Sequence, residues 1–162
     1  MAALPRYVID ASALIDFGFW YQRETLPSIW ARLEELARDG RLLCPREVMR
    51  ELQQRSQELA EWITDHSIVI SDARTARIIS RATEIDRKYP ELKKGKRRNR
   101  PNPRSADPWI VALALEENAV VVCSEGSQPS ATTIRTIPDA CRRENVLCRT
   151  LPELLKELGI KL

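Results

Sequence analysis

The sequence predicts an α/β protein: a three-layer α/β/α sandwich around a mostly parallel sheet of four or five strands. Short, continuous apolar runs such as Ala119–Cys123 are typical of strands that are buried on both faces. Segments with apolar residues at helical spacing separate these runs along the chain. The 162 residues contain no internal repeat, so we expect one domain over residues 1–162.

Two strands are predicted in the first third of the chain. Tyr7–Ile9 is a β-branched and aromatic run that predicts a buried first strand. From Leu26 to Arg38 the apolar positions recur every three or four residues, which predicts a helix. Leu42–Cys44 predicts a second strand, and a helix over residues 46–56 follows it.

Three helices are predicted in the middle of the chain. Apolar spacing predicts two of them over Glu58–Asp65 and Ala73–Lys88, and the type of the apolar segment Ile68–Ile70 stays open. Ser105–Glu117 predicts the third, with Asp107 as its N-terminal cap.

The last third of the chain supplies the remaining predicted strands. Ala119–Cys123 is the most distinct apolar run, and Val146–Cys148 is a shorter one. A final helix is predicted over Leu151–Leu158. With the two N-terminal strands, these runs complete the predicted parallel sheet.

The composition excludes several classes of protein. The sequence has neither a signal peptide nor an apolar stretch of the roughly 18 residues that cross a bilayer, which predicts a cytoplasmic protein without a membrane partner. Its four cysteines form no C-x-x-C pair, so we expect reduced and mostly buried thiols. His66 is the only histidine, which argues against histidine acid–base catalysis and His-rich zinc sites.

Most of the local positive charge lies in one segment. Between Arg87 and Arg104 nine basic residues stand against one acid, Glu91, and the glycine and prolines of this segment predict an exposed loop over about 93–104. One interpretation is that the loop binds RNA phosphates, and the other is that it only adds solubility. The candidate nucleic-acid-binding residues are Lys93, Lys94, Lys96, Arg97, Arg98, Arg100 and Arg104.

Carboxylates occur where the predicted strands end. Asp10 ends the first strand, and Glu51 lies on the helix after the second. Asp107 begins the helix that leads to the Ala119–Cys123 run, and Glu125 lies two residues beyond that run. Ligands of open parallel sheets bind beyond the carboxyl ends of the strands, so we expect these four acids to face one edge. Carboxylate oxygens without histidine or thiolate suit Mg²⁺ or Mn²⁺.

Each of these acids also has a purely structural interpretation. Asp107 could be only a helix cap, Glu51 only a surface residue, and Glu47 only a complement to the positive end of its helix. Asp10 is the hardest to explain in this way, because it places a charge at the end of a buried strand. Asp16 is a less favoured additional member of the site.

Four motifs in the chain resemble, in the same order, the acidic motifs of PIN domains. They are Val8–Ile15, Val48–Leu52, Ala106–Ala114 and Val120–Glu125, which contain Asp10, Glu51, Asp107 and Glu125 respectively. Ile137–Cys141 and Leu154–Leu162 further resemble a bacterial PIN-like family of uncharacterised function.

The resemblance implies an Mg²⁺- or Mn²⁺-dependent endoribonuclease that hydrolyses RNA phosphodiesters. It also implies a role similar to that of VapC toxins, which pair with an antitoxin protein and often form homodimers. Asp10, Glu51 and Asp107 would hold one metal ion, and Glu125 would complete that site or support a second ion. The dense aromatic run Phe17–Tyr21 is a candidate surface for dimer or antitoxin contacts.

Two departures from the PIN pattern keep other functions open. Cys123 stands where PIN domains usually have threonine, with Ser124 as an alternative source of the hydroxyl, and Glu125 replaces the more usual aspartate. A catalytically silent PIN-like module that binds RNA or protein is therefore the main alternative. A haloacid-dehalogenase-type phosphotransferase fits poorly, because it would need a second aspartate where Ser12 stands.

Overall fold

The structure is a computed structural model that describes residues 3–93, 105–126 and 132–160. In these ranges helices and short strands alternate along the chain. In order they are β1 (Tyr7–Ile9), α1 (Ala11–Trp20), α2 (Pro27–Arg38), β2 (Leu42–Leu43), α3 (Arg46–Arg55), α4 (Gln57–Asp65), α5 (Asp72–Lys88), a 3₁₀ turn (Pro90–Lys93), α6 (Asp107–Glu117), β3 (Val120–Val122), α7 (Ile137–Arg143), β4 (Cys148–Arg149) and α8 (Leu151–Glu157).

The described strands form one parallel sheet in the order β2-β1-β3-β4. All three residues of the central strand β1 are buried. Because successive residues of a strand point to opposite faces, both faces of the sheet are covered by other elements. The predicted α/β class with a parallel sheet is confirmed, with four strands.

The direction of the connections explains how helices cover both faces. The chain moves from β1 to β2 in one direction across the sheet, and from β3 to β4 in the other. Crossovers between parallel strands are almost always right-handed, so opposite directions place their helices on opposite faces. This rule assigns α1 and α2 to one face and α6 and α7 to the other, where α6 and α7 contact each other.

Helix α6 is buried and lies against both central strands and α5. Its first residue is Asp107, and its N-cap position is taken by Ala106 without a side-chain capping bond. The prediction that Asp107 caps this helix is therefore wrong. Asp107 begins the helix one position after the cap, so its carboxylate is not placed to accept the N–H groups of the first turn.

The last strand begins two residues later than the sequence predicts. The structure has β4 at Cys148–Arg149 instead of Val146–Cys148. Asn145 adopts a left-handed conformation (φ 57°), and the N–H of Val146 donates to the carbonyl of Cys141 at 2.8 Å. Val146 therefore belongs to the turn that ends α7, because its backbone donor is used by that helix.

The segment Ile68–Ile70 extends the β2 edge of the sheet without forming a full strand. Val69 makes an isolated parallel bridge with Cys44. The N–H of Cys44 donates to the carbonyl of Ile68 at 2.9 Å, and the N–H of Ile70 donates to the carbonyl of Cys44 at 3.0 Å. The element that the sequence left open is thus a single bridge at the end of the sheet.

The tryptophans divide between the core and the surface. Trp30 packs edge to face between Phe17 and Trp62, with ring centroids 4.8 and 5.3 Å away, and both tryptophans are buried. Trp20 is 70% exposed at the end of α1, beside the 69% exposed Phe19. Among the described helices, none combines the length and apolar character that crossing a membrane requires.

Candidate functional site

Asp10 lies at the carboxyl end of β1 in the middle of the sheet. Its N–H donates to the carbonyl of Val122 in β3 at 3.0 Å, and the residue is 4% exposed. Burial raises the pKa of Asp10 to about 7, and the negative charges of Glu51 and Glu125 contribute to the rise. The N–H groups of Ala11 and Ser12 at the start of α1 partly oppose it.

Glu51 connects α3 to the beginning of α6. Its Oε1 accepts a hydrogen bond from the N–H of Ala106 at 3.1 Å. Burial raises the pKa of Glu51, while the Ala106 N–H and the Arg55 charge lower it less strongly. The carboxylate therefore has one backbone donor at the N-terminal end of α6, next to Asp107.

The pKa of Asp107 responds to all three of the other acids. Burial raises its pKa well above the ordinary value, and the charges of Asp10, Glu125 and Glu51 raise it further. The N–H of Asp107 donates to the Ser105 hydroxyl at 3.3 Å, which keeps the first turn of α6 in place. Three carboxylates thus act on Asp107 electrostatically, so the four groups are neighbours.

Glu125 follows β3 and connects it to α7. Its Oε2 accepts a hydrogen bond from the N–H of Ile137, the first residue of α7, at 2.8 Å. Glu125 in turn raises the pKa of Asp10, Glu51 and Asp107. The structure therefore brings together all four acids that the sequence places at the strand ends.

The four carboxylates supply an oxygen-only donor set of the kind that Mg²⁺ and Mn²⁺ prefer. Their mutual repulsion is also what a bound dication would relieve. As the side chains stand, no three His, Cys, Asp or Glu residues in the described ranges have an arrangement that could hold a metal ion. The donor set fits such an ion in its chemistry, and binding would require the carboxylate side chains to change position.

Cys123 borders the site as a neutral thiol. Its Sγ lies 3.3 Å from the Sγ of Cys148, and both cysteines are free. A hydrogen bond with Cys148 and burial raise the pKa of Cys123 far above its ordinary value. Cys123 therefore adds no thiolate to the carboxylate donors. Ser124, the alternative source of a hydroxyl, is exposed.

Comparison with known proteins places the chain in a family. The family described as Domain of unknown function (DUF4411) matches residues 7–162, nearly the whole chain. The chain belongs to this family. No curated protein matches the DUF4411 chain.

The structure is similar to one solved structure, the crystal structure of VapBC2 from Rickettsia felis bound to a DNA fragment from their promoter. The sequences are 18% identical, the TM-score is 0.45, and the similarity covers 89% of the DUF4411 chain and 97% of the other.

Glu47 is a fifth acid near the site of the DUF4411 chain. It is 7% exposed, its Oε1 lies 3.6 Å from Nη1 of Arg50, and its Oε2 is buried without a hydrogen-bond partner in the described ranges. Its charge raises the pKa of Glu51 and Cys44. Sequence reasoning gave Glu47 only a helix-end role, although its spacing of four residues from Glu51 was a signal that they share a face.

Two other acids of the DUF4411 chain have different surroundings. Asp16 lies within α1, six residues after Asp10, and its membership of the site stays a prediction. Asp139 is buried in the first turn of α7, where it accepts a hydrogen bond from the Thr136 hydroxyl at 2.7 Å and pairs with Arg142. Thr136 is the cap of α7.

The predicted basic loop is only partly within the description of the structure. Lys93 ends the 3₁₀ turn, and Ser105 resumes the described chain just before α6. The other six candidates for RNA binding lie outside the described residues: Lys94, Lys96, Arg97, Arg98, Arg100 and Arg104.

Proposed function

We propose that this protein is an Mg²⁺- or Mn²⁺-dependent endoribonuclease that hydrolyses RNA phosphodiesters. The observation that carries the proposal is the group formed by Asp10, Glu51, Asp107 and Glu125, four interacting carboxylates at the carboxyl edge of a parallel sheet. The PIN-like order of the four motifs along the chain supports the same activity. A bound dication supplies Lewis-acid activation of water and stabilises negative charge on the phosphate.

The chain's own contribution in this proposal is to hold its carboxylates at fixed places. The Asp10 backbone is fixed between the two central strands by its bond to Val122. Glu51 and Glu125 are each oriented by one backbone N–H, from Ala106 and Ile137. A carboxylate has two oxygens and about four acceptor positions, so one N–H donor leaves capacity for a cation.

Cleavage of a labelled single-stranded RNA, with and without Mg²⁺ or Mn²⁺, tests the proposal. We expect metal-dependent endonucleolytic products that Asp10→Asn abolishes and Asp39→Asn leaves unchanged, because Asp39 is exposed between the end of α2 and the start of β2, at the opposite edge of the sheet. A DNA of the same sequence, tested in parallel, defines the substrate class. Full activity of the Asp10→Asn variant, or cleavage in excess chelator, would refute the proposal.

We further propose that the ribonuclease acts as the toxin of a toxin–antitoxin pair and forms a homodimer. The support is the similarity of its motifs to those of VapC toxins. Induced expression should arrest bacterial growth, and Asp10→Asn should remove the arrest at equal protein level. Co-expression of a small protein encoded by an adjacent reading frame should restore growth and co-purify with the chain; growth unaffected by the native chain would contradict this role.

A catalytically silent PIN-like module that binds RNA or protein is the second candidate function. It is favoured by the open arrangement of the described carboxylates and by the thiol of Cys123 at the fourth motif. Under this alternative the protein binds RNA with equal affinity in metal and in chelator, and produces no cleavage. Measuring binding and cleavage on the same RNA therefore separates the two candidates.

A further inference from the structure

The C-terminal end of α1 presents two aromatic side chains to solvent. Phe19 is 69% exposed and Trp20 is 70% exposed, and their rings meet edge to face with centroids 5.0 Å apart. Large aromatic groups are usually buried, so an adjacent exposed pair is a feature of binding surfaces. The other three tryptophans, Trp30, Trp62 and Trp109, are buried or half-buried.

A pocket of about 390 Å³ adjoins this pair. Ile15, Gly18 and Phe19 line it from α1, and Leu59 lines it from α4. Polar side chains also line it: Gln22, Arg23, Glu24, Arg55, Ser56 and Glu58. We call the pocket together with Phe19 and Trp20 the aromatic surface. Its lining combines aromatic and apolar groups with two arginines and two glutamates, whereas the core of a protein–protein interface is depleted in charged residues.

The aromatic surface is continuous with the carboxylate group. Helix α1 begins directly after Asp10, and nine residues of helix place Phe19 about 14 Å further along its axis. Arg55 lines the pocket and follows Glu51 by four residues on α3, so the two residues share one face of that helix and Arg55 is close to both places. A single strand with one phosphate at the carboxylates could therefore reach the aromatic surface with a nearby nucleotide.

We propose that the aromatic surface binds an unpaired base of the RNA, with Phe19 and Trp20 as stacking partners and Arg55 as a polar contact. The inference rests on the proposed ribonuclease function, and it specifies single-stranded RNA as the substrate class. Aromatic side chains stack on any base because every base has a π-face, and stacked, splayed bases are the usual way in which proteins recognise single-stranded RNA. Base pairing would make these faces inaccessible.

Fluorescence of Trp20 provides a direct test that does not depend on catalysis. All binding measurements use the Asp10→Asn variant in chelator, so that no RNA is cleaved. We expect a single-stranded oligoadenylate to quench tryptophan emission, and inorganic polyphosphate, which has no bases, to leave it unchanged. Trp20→Phe should remove the quenching and keep most of the affinity, since phenylalanine also stacks.

Affinity measured by fluorescence anisotropy completes the test. Trp20→Ala and Phe19→Ala should each weaken binding of the oligonucleotide about tenfold, in the range that loss of one base–aromatic stack produces. Leu147→Ala is the matched control, because Leu147 is 57% exposed directly before the edge strand β4 and does not line the pocket. It should leave the affinity unchanged, and an RNA duplex of equal length should bind more weakly than the single strand.

The possible failures of the two proposals are distinguishable. RNA affinity that is unaffected by both alanine substitutions, or no RNA binding at all, overturns the inference. A change in oligomeric state caused by these substitutions with unchanged RNA affinity also overturns it, and assigns the surface to self-association. Aromatic-dependent RNA binding by a native chain that cleaves no RNA would sustain the inference and refute the ribonuclease proposal.

Discussion

Asp10 carries an electrostatic cost that a neutral side chain would remove. Its pKa rises from 3.8 to about 7 in the folded protein, so the folded state holds a proton that the unfolded state has released at intermediate pH. Binding of this proton stabilises the folded state. This contribution is fully present below about pH 4 and is lost as the pH rises through about 7. Without metal, the native chain should therefore lose stability relative to an Asp10→Asn variant over this interval.

We predict that Asp10→Asn raises the free energy of unfolding at about pH 8 in chelator, by on the order of 1–4 kcal/mol. The advantage should shrink towards about pH 4, where both chains are neutral at this position. Urea denaturation of the two proteins across this pH range measures the difference. Asp39→Asn serves as the control, and a difference between Asp10→Asn and native protein that does not vary with pH would contradict the prediction.

The cysteines should be slow to react while the chain is folded. Burial raises the pKa of Cys44, a hydrogen bond with Cys148 and burial raise that of Cys123, and the pKa of Cys148 is about 12. Thiol reagents attack the thiolate, so few reactive sulfur atoms are present near neutral pH.

We predict that a colorimetric disulfide reagent titrates the native thiols much more slowly than the four thiols of the unfolded chain. Cys148 is half-buried and should react before the buried Cys44, Cys123 and Cys141. Cys148→Ser should remove the first kinetic phase. Immediate reaction of several thiols in the native protein would contradict the described burial.

At the scale of elements, Glu51 has a structural task that is separable from its charge. Its Oε1 accepts the Ala106 N–H at the start of α6, and an amide oxygen can accept the same bond. We predict that Glu51→Gln keeps the stability of the native chain or increases it, because the charge repulsion is removed. Glu51→Ala should be less stable than Glu51→Gln by about 1–2 kcal/mol, since a buried donor loses its partner.

Thermal unfolding in chelator compares the two Glu51 variants. Both should fail to cleave RNA under the proposed function, so only stability distinguishes them. Equal stability of the glutamine and alanine variants would show that the bond to Ala106 contributes nothing.

The sequence predicted most elements because their signals are local. Apolar runs placed β1 and β3, and helical spacing placed α2, α4 and α5. It misplaced β4 because the left-handed Asn145 extends the end of α7, and nothing in an apolar run shows which backbone donors a helix will use. The sequence also assigned the cap of α6 to Asp107, one residue too late. The sequence signals of a helix start do not distinguish between two adjacent residues.

The same distinction applies to the candidate site. The four acids were predicted from the places of Asp10 and Glu125 at strand ends, of Glu51 and Asp107 on the adjoining helices, and from the order of the four PIN-like motifs. The bonds from Ala106 and Ile137 did not follow, because they depend on how loops return to the sheet. The burial of Glu47 and the exposure of Trp20 likewise depend on which neighbours pack against each helix.

For the whole molecule, binding of a dication should appear as increased stability. A ligand that binds only the folded state, at about a hundred times its Kd, stabilises a protein by about 2.7 kcal/mol. We predict that Mg²⁺ or Mn²⁺ raises the Tm of the native chain by several degrees near neutral pH, and has little effect on Asp10→Asn. An identical shift in both proteins, or none in the native chain, would contradict a metal site at the four carboxylates.

The pairing of β1 with β3 determines how late in synthesis the four acids can come together. Tyr7 pairs with Val120 and Ile9 with Val122, so the two halves of the central sheet are separated by more than a hundred residues of chain. This large loop has to close before β1 and β3 can pair, and such long-range parallel pairing is slow. During translation, Asp10 and Glu51 emerge long before Asp107 and Glu125, because α6 begins with Asp107 and Glu125 follows β3. Under the proposed function, the chain would therefore be unable to cut its own messenger until the segment that carries Glu125 had left the exit tunnel.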